Sequence, residues 1–355
     1  MVSAFDGLLS RIVVTEDMRN VLKHIEYLNE KVYDITICPE PLRDHAAKVI
    51  ISDLKSVDVH VEREEVFAML LGSPPDGFIC SNYIGFRFSR KENPPWTNDT
   101  ICSIQYRLMS GSAEFEPGRV RNRPYISDSV IVRESLQQYT ESNLTEILRI
   151  FNQSPYHPLI ATSLFWNCLE MLQPFQGDNR LAYRSILLSA MYSRNYRGVM
   201  RIELMKHLSR SELDIGKARE EFLDNGDPNP MISKTVRAIA SAFDETYMAI
   251  APLDVKRNVD GLSRSIIRNS RRRESFVLTD THSWLGDISD QTFRARISNL
   301  IDLGILRKIG NTKGTRYQYV DVFEDVRRMN GGTQPHLDED YLQLLYLGIG
   351  AIARP

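Results

Sequence analysis

The chain has 355 residues, 42% hydrophobic and 25% charged, with 44 Lys and Arg against 46 Asp and Glu for a formal net charge of -2. That length exceeds what one core usually needs, so two or three domains are expected, and ordinary globular usage excludes a disordered, fibrous or collagen-like chain. No apolar run approaches a membrane span, the N-terminus lacks signal-peptide layout, and Cys38, Cys80, Cys102 and Cys168 are scattered without metal-ligand spacing. The expectation is therefore a cytoplasmic protein with reduced thiols, no metal cluster and no membrane partner.

Residues 1–95 carry amphipathic helical patterns interrupted by Pro39, Pro41 and the break at Ser73-Pro74-Pro75, and are expected to form a helical N-terminal region. From 96 the text turns loop-like, with Gly111 and the run Glu116-Pro117-Gly118, and a short hairpin is expected over 121–126. The stretches 159–172 and 181–192 both have helical spacing. Between them lies a polar turn, so the cluster from Gln173 to Arg184 sits between two buried helices. A helix start offers unpartnered N–H groups and the positive end of the helix dipole, which Asn179, Arg180 and Arg184 could supplement as an anion site. His157, beside Pro158, reads as a cap or packing residue.

Arg264, Arg268, Arg271, Arg272 and Arg273 crowd the approach to the C-terminus. They suit either an anionic partner or a solvated linker helix. Beyond them, 279–285 is a short helix ending at Gly286. Ser289 is an N-cap, and Phe293, Ile297, Leu300 and Ile301 form one buried stripe on a helix that stops at Gly304. The strand-like segments 305–309 and 315–320 flank the turn GNTKG, so two helices followed by a hairpin are expected to make a winged helix. On such a module Gln291, Thr292, Arg294 and Arg296 would face the major groove of DNA, and Arg307, Lys308, Lys313 and Arg316 would meet phosphates. Winged helices also bind proteins or dimerise, and the residues leave both readings open.

The segment HPLIATSLFWNCLEMLQPFQGDNRLAYRSILLSAMY resembles the core of the Fic family, whose signature is HPFx[DE]GNGRxxR and most of whose members transfer AMP from ATP to a protein hydroxyl. PGRVRNRPYIS at 117–127 is similar to the family's flap. Residues 222–245 resemble the helical pair that follows the signature, and the tail resembles the winged helix of longer members. The resemblance implies a mostly α fold: an N-terminal helical region (1–95), a Fic-like core with a small β-hairpin flap (96–250), a winged helix-turn-helix domain (251–330) and a tail (331–355). It also implies that Arg121, Asn122 and Tyr125 lie on a flap that pairs with a protein target by strand addition.

Aligned without gaps, Pro174, Phe175, Asn179 and Arg184 coincide with the signature. Gln173 stands where the family has its His, and Gly177 where it has Asp or Glu; Asp178 and Arg180 take the two glycine positions, and Leu181 the first basic one. An amide accepts no proton near neutral pH, and loss of a general base typically costs about 10²- to 10⁴-fold in rate. Asp178 is left as the one carboxylate able to recruit Mg²⁺, and ATP and Mg²⁺ are expected to bind weakly or not at all. The reading is a catalytically impaired Fic-like protein acting as a nucleotide-sensing or DNA-binding regulator. The alternative is an active adenylyltransferase, or a related phosphate-transfer enzyme, with a relocated base. The stretch 52–70 resembles the helix that carries an inhibitory motif in longer relatives, but a clear SxxxEG is missing.

Overall fold

In a computed structural model the described residues are 5, 7–73, 78–88, 95–111, 117–121, 140–177, 179–286, 288–310, 314–324 and 326. Asn122, Tyr125, Asp178, Lys313, most of the expected 121–126 hairpin and the 331–355 tail lie outside them. The fold is mostly helical, with a two-stranded antiparallel sheet near its C-terminal end.

Its centre is a helical hairpin. Helix α7 (Pro158–Leu172) is mainly apolar and is buried from Leu159 through Leu172, and α8 (Arg180–Ser193) is buried from Leu181 through Met191. A mainly apolar helix without a solvent-facing polar side must be covered on all faces. Accordingly α6 (Thr140–Gln153), α8 and α11 (Asn229–Ile250) pack on α7, and α5 (Asn98–Met109) packs on α8. The N-terminal helices join this same core. Met18, Leu22, Ile25, Leu28 and Val32, spaced three to four apart on α1 (Glu16–Asp34), form a stripe that lies on α11.

Helix α2 (Pro39–Lys55) leads through a turn at 56–62 into α3 (Arg63–Leu70), so the 52–70 stretch is broken and not a continuous helix. A buried ion pair joins α2 to α4 (Phe78–Phe88). Arg87 Nη1 lies 2.6 Å from Asp53 Oδ2, Tyr83 donates to the same oxygen at 2.6 Å, and Arg87 Nη2 donates to the carbonyls of Met200 and Ile202. With its hydrogen-bonding capacity filled in this way, a buried pair fixes the relative placement of the elements it joins. Helices α9 (Leu204–Arg210) and α10 (Glu212–Asn225) then lead to α11 through Gly226, whose φ of 74° suits the left-handed end of a helix.

A second, smaller hydrophobic cluster begins at Val255. It contains α12 (Gly261–Ser270), α13 (Leu278–Leu285), α14 (Asp290–Asp302), β1 (Leu306–Ile309) and β2 (Arg316–Tyr319). Ser289 caps α14 by accepting from Thr292 N at 3.2 Å; Phe293, Ile297 and Leu300 are buried, Ile301 is half-buried, and the chain leaves the helix through Gly304 at φ 68°. The strands pair from Leu306↔Tyr319 to Ile309↔Arg316, and Phe276 bridges to Tyr317 on the far side of β2.

This unit is fastened to the carbonyl end of α1. Lys256 donates to the carbonyl of Asp34 and Arg271 to Thr36 Oγ1 at 2.7 Å, beside the bonds that Arg201 of the helical body makes to the carbonyls of Val32 and Ile35. Cations at a helix C-terminus meet the negative end of the dipole and the unpaired carbonyls together. Arg271 is thus an inward-facing anchor and not part of a solvated face.

Candidate functional site

The turn between α7 and α8 is closed by its own contacts. Gln173 ends α7 in the left-handed region at φ 47°, and Pro174 follows with no N–H to continue the ladder. That conformation costs a non-glycine residue about 1 kcal/mol. Arg121 offsets it. Its Nε donates to Gln173 O at 2.6 Å, its Nη2 to Leu172 O at 3.1 Å, and its backbone N to Pro174 O at 2.8 Å. Burial lowers the Arg121 pKa from its usual value. The expectation that Arg121 is a target-facing flap residue is corrected: its side chain is 5% exposed and caps a helix.

The side chain of Gln173 is buried too, and Nε2 donates to Glu170 O at 2.7 Å, back onto its own helix. Asn179 is the N-cap of α8 by position, but its side chain makes no cap bond. Its Nδ2 donates to Gln176 O at 2.6 Å and Gly177 O at 2.8 Å, and its Oδ1 accepts from Gln105 Nε2 at 2.8 Å. Gln105 Oε1 in turn accepts from Gly118 N, so one buried amide ties residue 118 to the turn.

Arg184 is 3% exposed. Its Nη1 donates to Ser56 O at 2.8 Å and Ser56 Oγ at 3.2 Å, and its Nη2 donates to Glu212 Oε2 at 3.0 Å. Arg180 points outward and pairs with Asp58 at 2.9 Å; both are substantially exposed. Phe175 and Tyr183, both fully buried, stack at 6.2 Å beneath the turn. The three groups expected to share one anion are therefore separated: Asn179 turns into the loop, Arg184 into the α2–α10 side, and Arg180 towards Asp58. The described side chains as arranged do not fit a nucleoside triphosphate. A cavity lined by Ile37, Val49 and Arg271 and another lined by Lys48, Ser52 and Lys206 lie elsewhere and include no residue of 173–184 in their walls.

Asn179, Arg180 and Arg184 have partners that their local sequence does not reveal. Gln105, Ser56, Asp58 and Glu212 lie 28 to 128 positions away from the groups they hold, and no local pattern marks them. His157 is a cap, as its position beside Pro158 suggests. Nδ1 accepts from Leu159 N, which leaves Nε2 to donate to Glu26 at 2.9 Å. Among the described residues no cluster of three or more His, Cys, Asp or Glu could hold a metal, the four cysteines are unbridged, and no helix is long and apolar enough to cross a membrane.

The sequence matches no protein-family model and no curated protein. The structure is similar to the crystal structure of a Fic family protein from Desulfovibrio desulfuricans, with a TM-score of 0.52 and 16% identity, over 87% of this chain and 98% of that one. The fold is of the Fic type. The Fic-type fold places α7, the turn and α8 at its centre, and the resemblance stated on residues 157–192 falls on this hairpin. Within it Asn179, Arg180 and Arg184 are each bonded to other groups of the protein.

On the C-terminal unit, Gln291, Thr292 and Arg294 are exposed along the first turns of α14, and Lys308 is exposed on β1. Arg296 departs from the expectation that it is free to read bases: it is half-buried, with Nε 2.5 Å from Asp260 Oδ2. Arg307 donates to Gln318 at 2.8 Å and to Glu324 at 3.1 Å, and Arg316 donates to Ser275 at 2.7 Å, so both lie across the hairpin surface, half tied to it.

Proposed function

We propose that this Fic-fold protein does not transfer AMP and acts as a regulator that binds duplex DNA through its C-terminal unit, read as a winged helix. Two side chains carry the loss of transfer: Gln173, an amide where a proton acceptor is needed, bonded to Glu170 O, and Arg184, a guanidinium already bonded to Ser56 and Glu212 where a phosphate would sit. Nucleotidyl transfer depends on positioning and charge stabilisation at the phosphates, and neither group is free for that task. Support for DNA comes from Gln291, Thr292 and Arg294 exposed at the start of α14, with Lys308 on the neighbouring strand. Arg and Gln pair bidentately with base edges, whereas Lys adds salt-sensitive affinity.

Two assays test this reading. Incubation of the full chain with labelled ATP, Mg²⁺ and a cell extract is expected to give no labelled product, and robust metal-dependent labelling that requires Arg184 would overturn the first half. Fluorescence anisotropy with duplex DNA over a range of salt concentrations is expected to show binding that weakens as salt rises. No binding at low salt would overturn the second half.

A further inference from the structure

A cavity of about 120 Å³ lies where the C-terminal unit meets the helical body. Ile37, Leu42 and Val49 wall it from α2 and the link before it, Met200 from the segment after α8, and Ile305 and Tyr319 from the C-terminal unit. The charged groups in its wall are engaged with the protein itself. Arg87 is paired with Asp53, Arg201 is bonded to the carbonyls of Val32 and Ile35, and Arg271 is bonded to Thr36. Asp321 accepts from Phe323 N at 3.0 Å, and Arg197 has interactions of its own. His45 donates to Arg201 O at 2.7 Å and is neutral, because burial lowers its pKa to about 4. A charged ligand would therefore leave water without gaining matching partners, at a net cost. The rest of the lining is mainly aliphatic and aromatic.

We propose that this cavity binds one neutral aromatic ring of about six heavy atoms. Size sets the scale, since a cavity of about 150 Å³ lined by aliphatic and aromatic side chains stays dry and takes up benzene. The lining decides between an aromatic and an aliphatic body. Tyr33, Phe88, Tyr192, Tyr319 and Phe323 all border the space, and Phe88 and Phe323 stack with centroids 4.3 Å apart. A ring among rings gains edge and face contacts beyond its buried area, and a guanidinium whose N–H groups are taken still attracts a π face. Because the walls belong to two units, an occupant would tighten the attachment of the C-terminal unit to the body. The site does not depend on whether α14 binds DNA.

The experiment uses the full chain with benzene, with its charged counterpart benzoate, and with cyclohexane, which is neutral but has no π face. Benzene is expected to raise the melting temperature saturably, by about 2 °C or more near saturation. Its ring current is expected to shift the ε-methyl resonance of Met200, in the cavity wall, while that of Met231, outside it, stays in place. Benzoate is expected to do neither, and cyclohexane to bind about threefold or more weakly than benzene. Ala46→Leu, which fills the cavity from α2, is expected to abolish both benzene effects. No saturable response to benzene, an equal response to benzoate or cyclohexane, or an unchanged response in Ala46→Leu would each overturn the proposal. Should Ala46→Leu not fold, the unaltered chain still decides, because a Met200 resonance that benzene leaves in place overturns the site.

Discussion

Arg184 Nη1 donates to the carbonyl of Ser56 at 2.8 Å, and this bond ties the central hairpin to the end of α2. The guanidinium is buried, whereas Glu212, its other partner, is 45% exposed. Arg184→Ala is therefore expected to destabilise the protein by about 2 kcal/mol, because the bonds of a buried charged donor to Ser56 and Glu212 are lost together. Glu212→Gln should cost under about 1 kcal/mol, the range of a solvent-screened pair. Urea denaturation of both variants checks this; an Arg184→Ala protein as stable as the unaltered chain would show that the arginine is not structural.

Gln105 links Gly118 N to Asn179 Oδ1. Gln105→Leu keeps the volume but leaves the buried Asn179 Oδ1 and the half-buried Gly118 N without this partner, at an expected cost of about 1 to 3 kcal/mol in all. Gln105→Glu should recover the Gly118 bond but not the Asn179 bond. The ordering of the three proteins in denaturant midpoint is the measurement.

His45 sets a dependence on pH. Its folded pKa of about 4 lies below the ordinary 6.5 because burial disfavours the charged ring. The unfolded chain therefore binds the proton more readily, and stability is lost as pH falls from 6.5 towards 4. Between pH 7 and pH 5 the contribution amounts to about 2 kcal/mol. Glu203 acts in the same direction at lower pH: burial alone would raise it, but hydrogen bonds from Lys206 and Lys48 hold it at about 2, so its contribution is lost below about 4.5. His45→Gln, which keeps a donor for Arg201 O, should flatten the stability profile between pH 4 and 6.5.

Arg271 fastens the C-terminal unit to Thr36. Arg271→Ala is expected to remove about 2 kcal/mol from that attachment, the scale of a hydrogen bond from a charged donor. Hydrogen exchange should quicken at the amides of β1, β2 and residues 34–37, and remain slow in α7. Uniform quickening across the chain would contradict a local anchor.

Arg294 and Arg296 are two positions apart yet differ in role. Arg294→Ala should weaken duplex DNA binding about tenfold while leaving the unit folded, in keeping with about 1 to 3 kcal/mol for a base-edge contact. Arg296→Ala should instead lower the stability of the unit through loss of the Asp260 pair, with a smaller effect on affinity at temperatures where it is folded. Anisotropy and thermal melts of the two variants separate these outcomes.

The helices were legible where period and caps agreed. The α7–α8 hairpin, the Ser289 cap, the Phe293, Ile297 and Leu300 stripe and the closing hairpin all follow from local spacing and from residues that terminate elements. Helix and strand periods are properties of neighbours in sequence, so a single sequence carries them. The amide at 173 was equally plain, since the chemistry of a side chain needs no fold to be known. What each polar side chain touches was decided by the tertiary structure. Arg121 reads as a flap residue and is a helix cap; Arg184 reads as a phosphate ligand and is bonded to Ser56; Arg271 reads as part of a charged face and is an anchor. A long cation has several rotatable bonds and no period, and it settles on whichever unpaired carbonyl or carboxylate the packing of distant helices brings within reach.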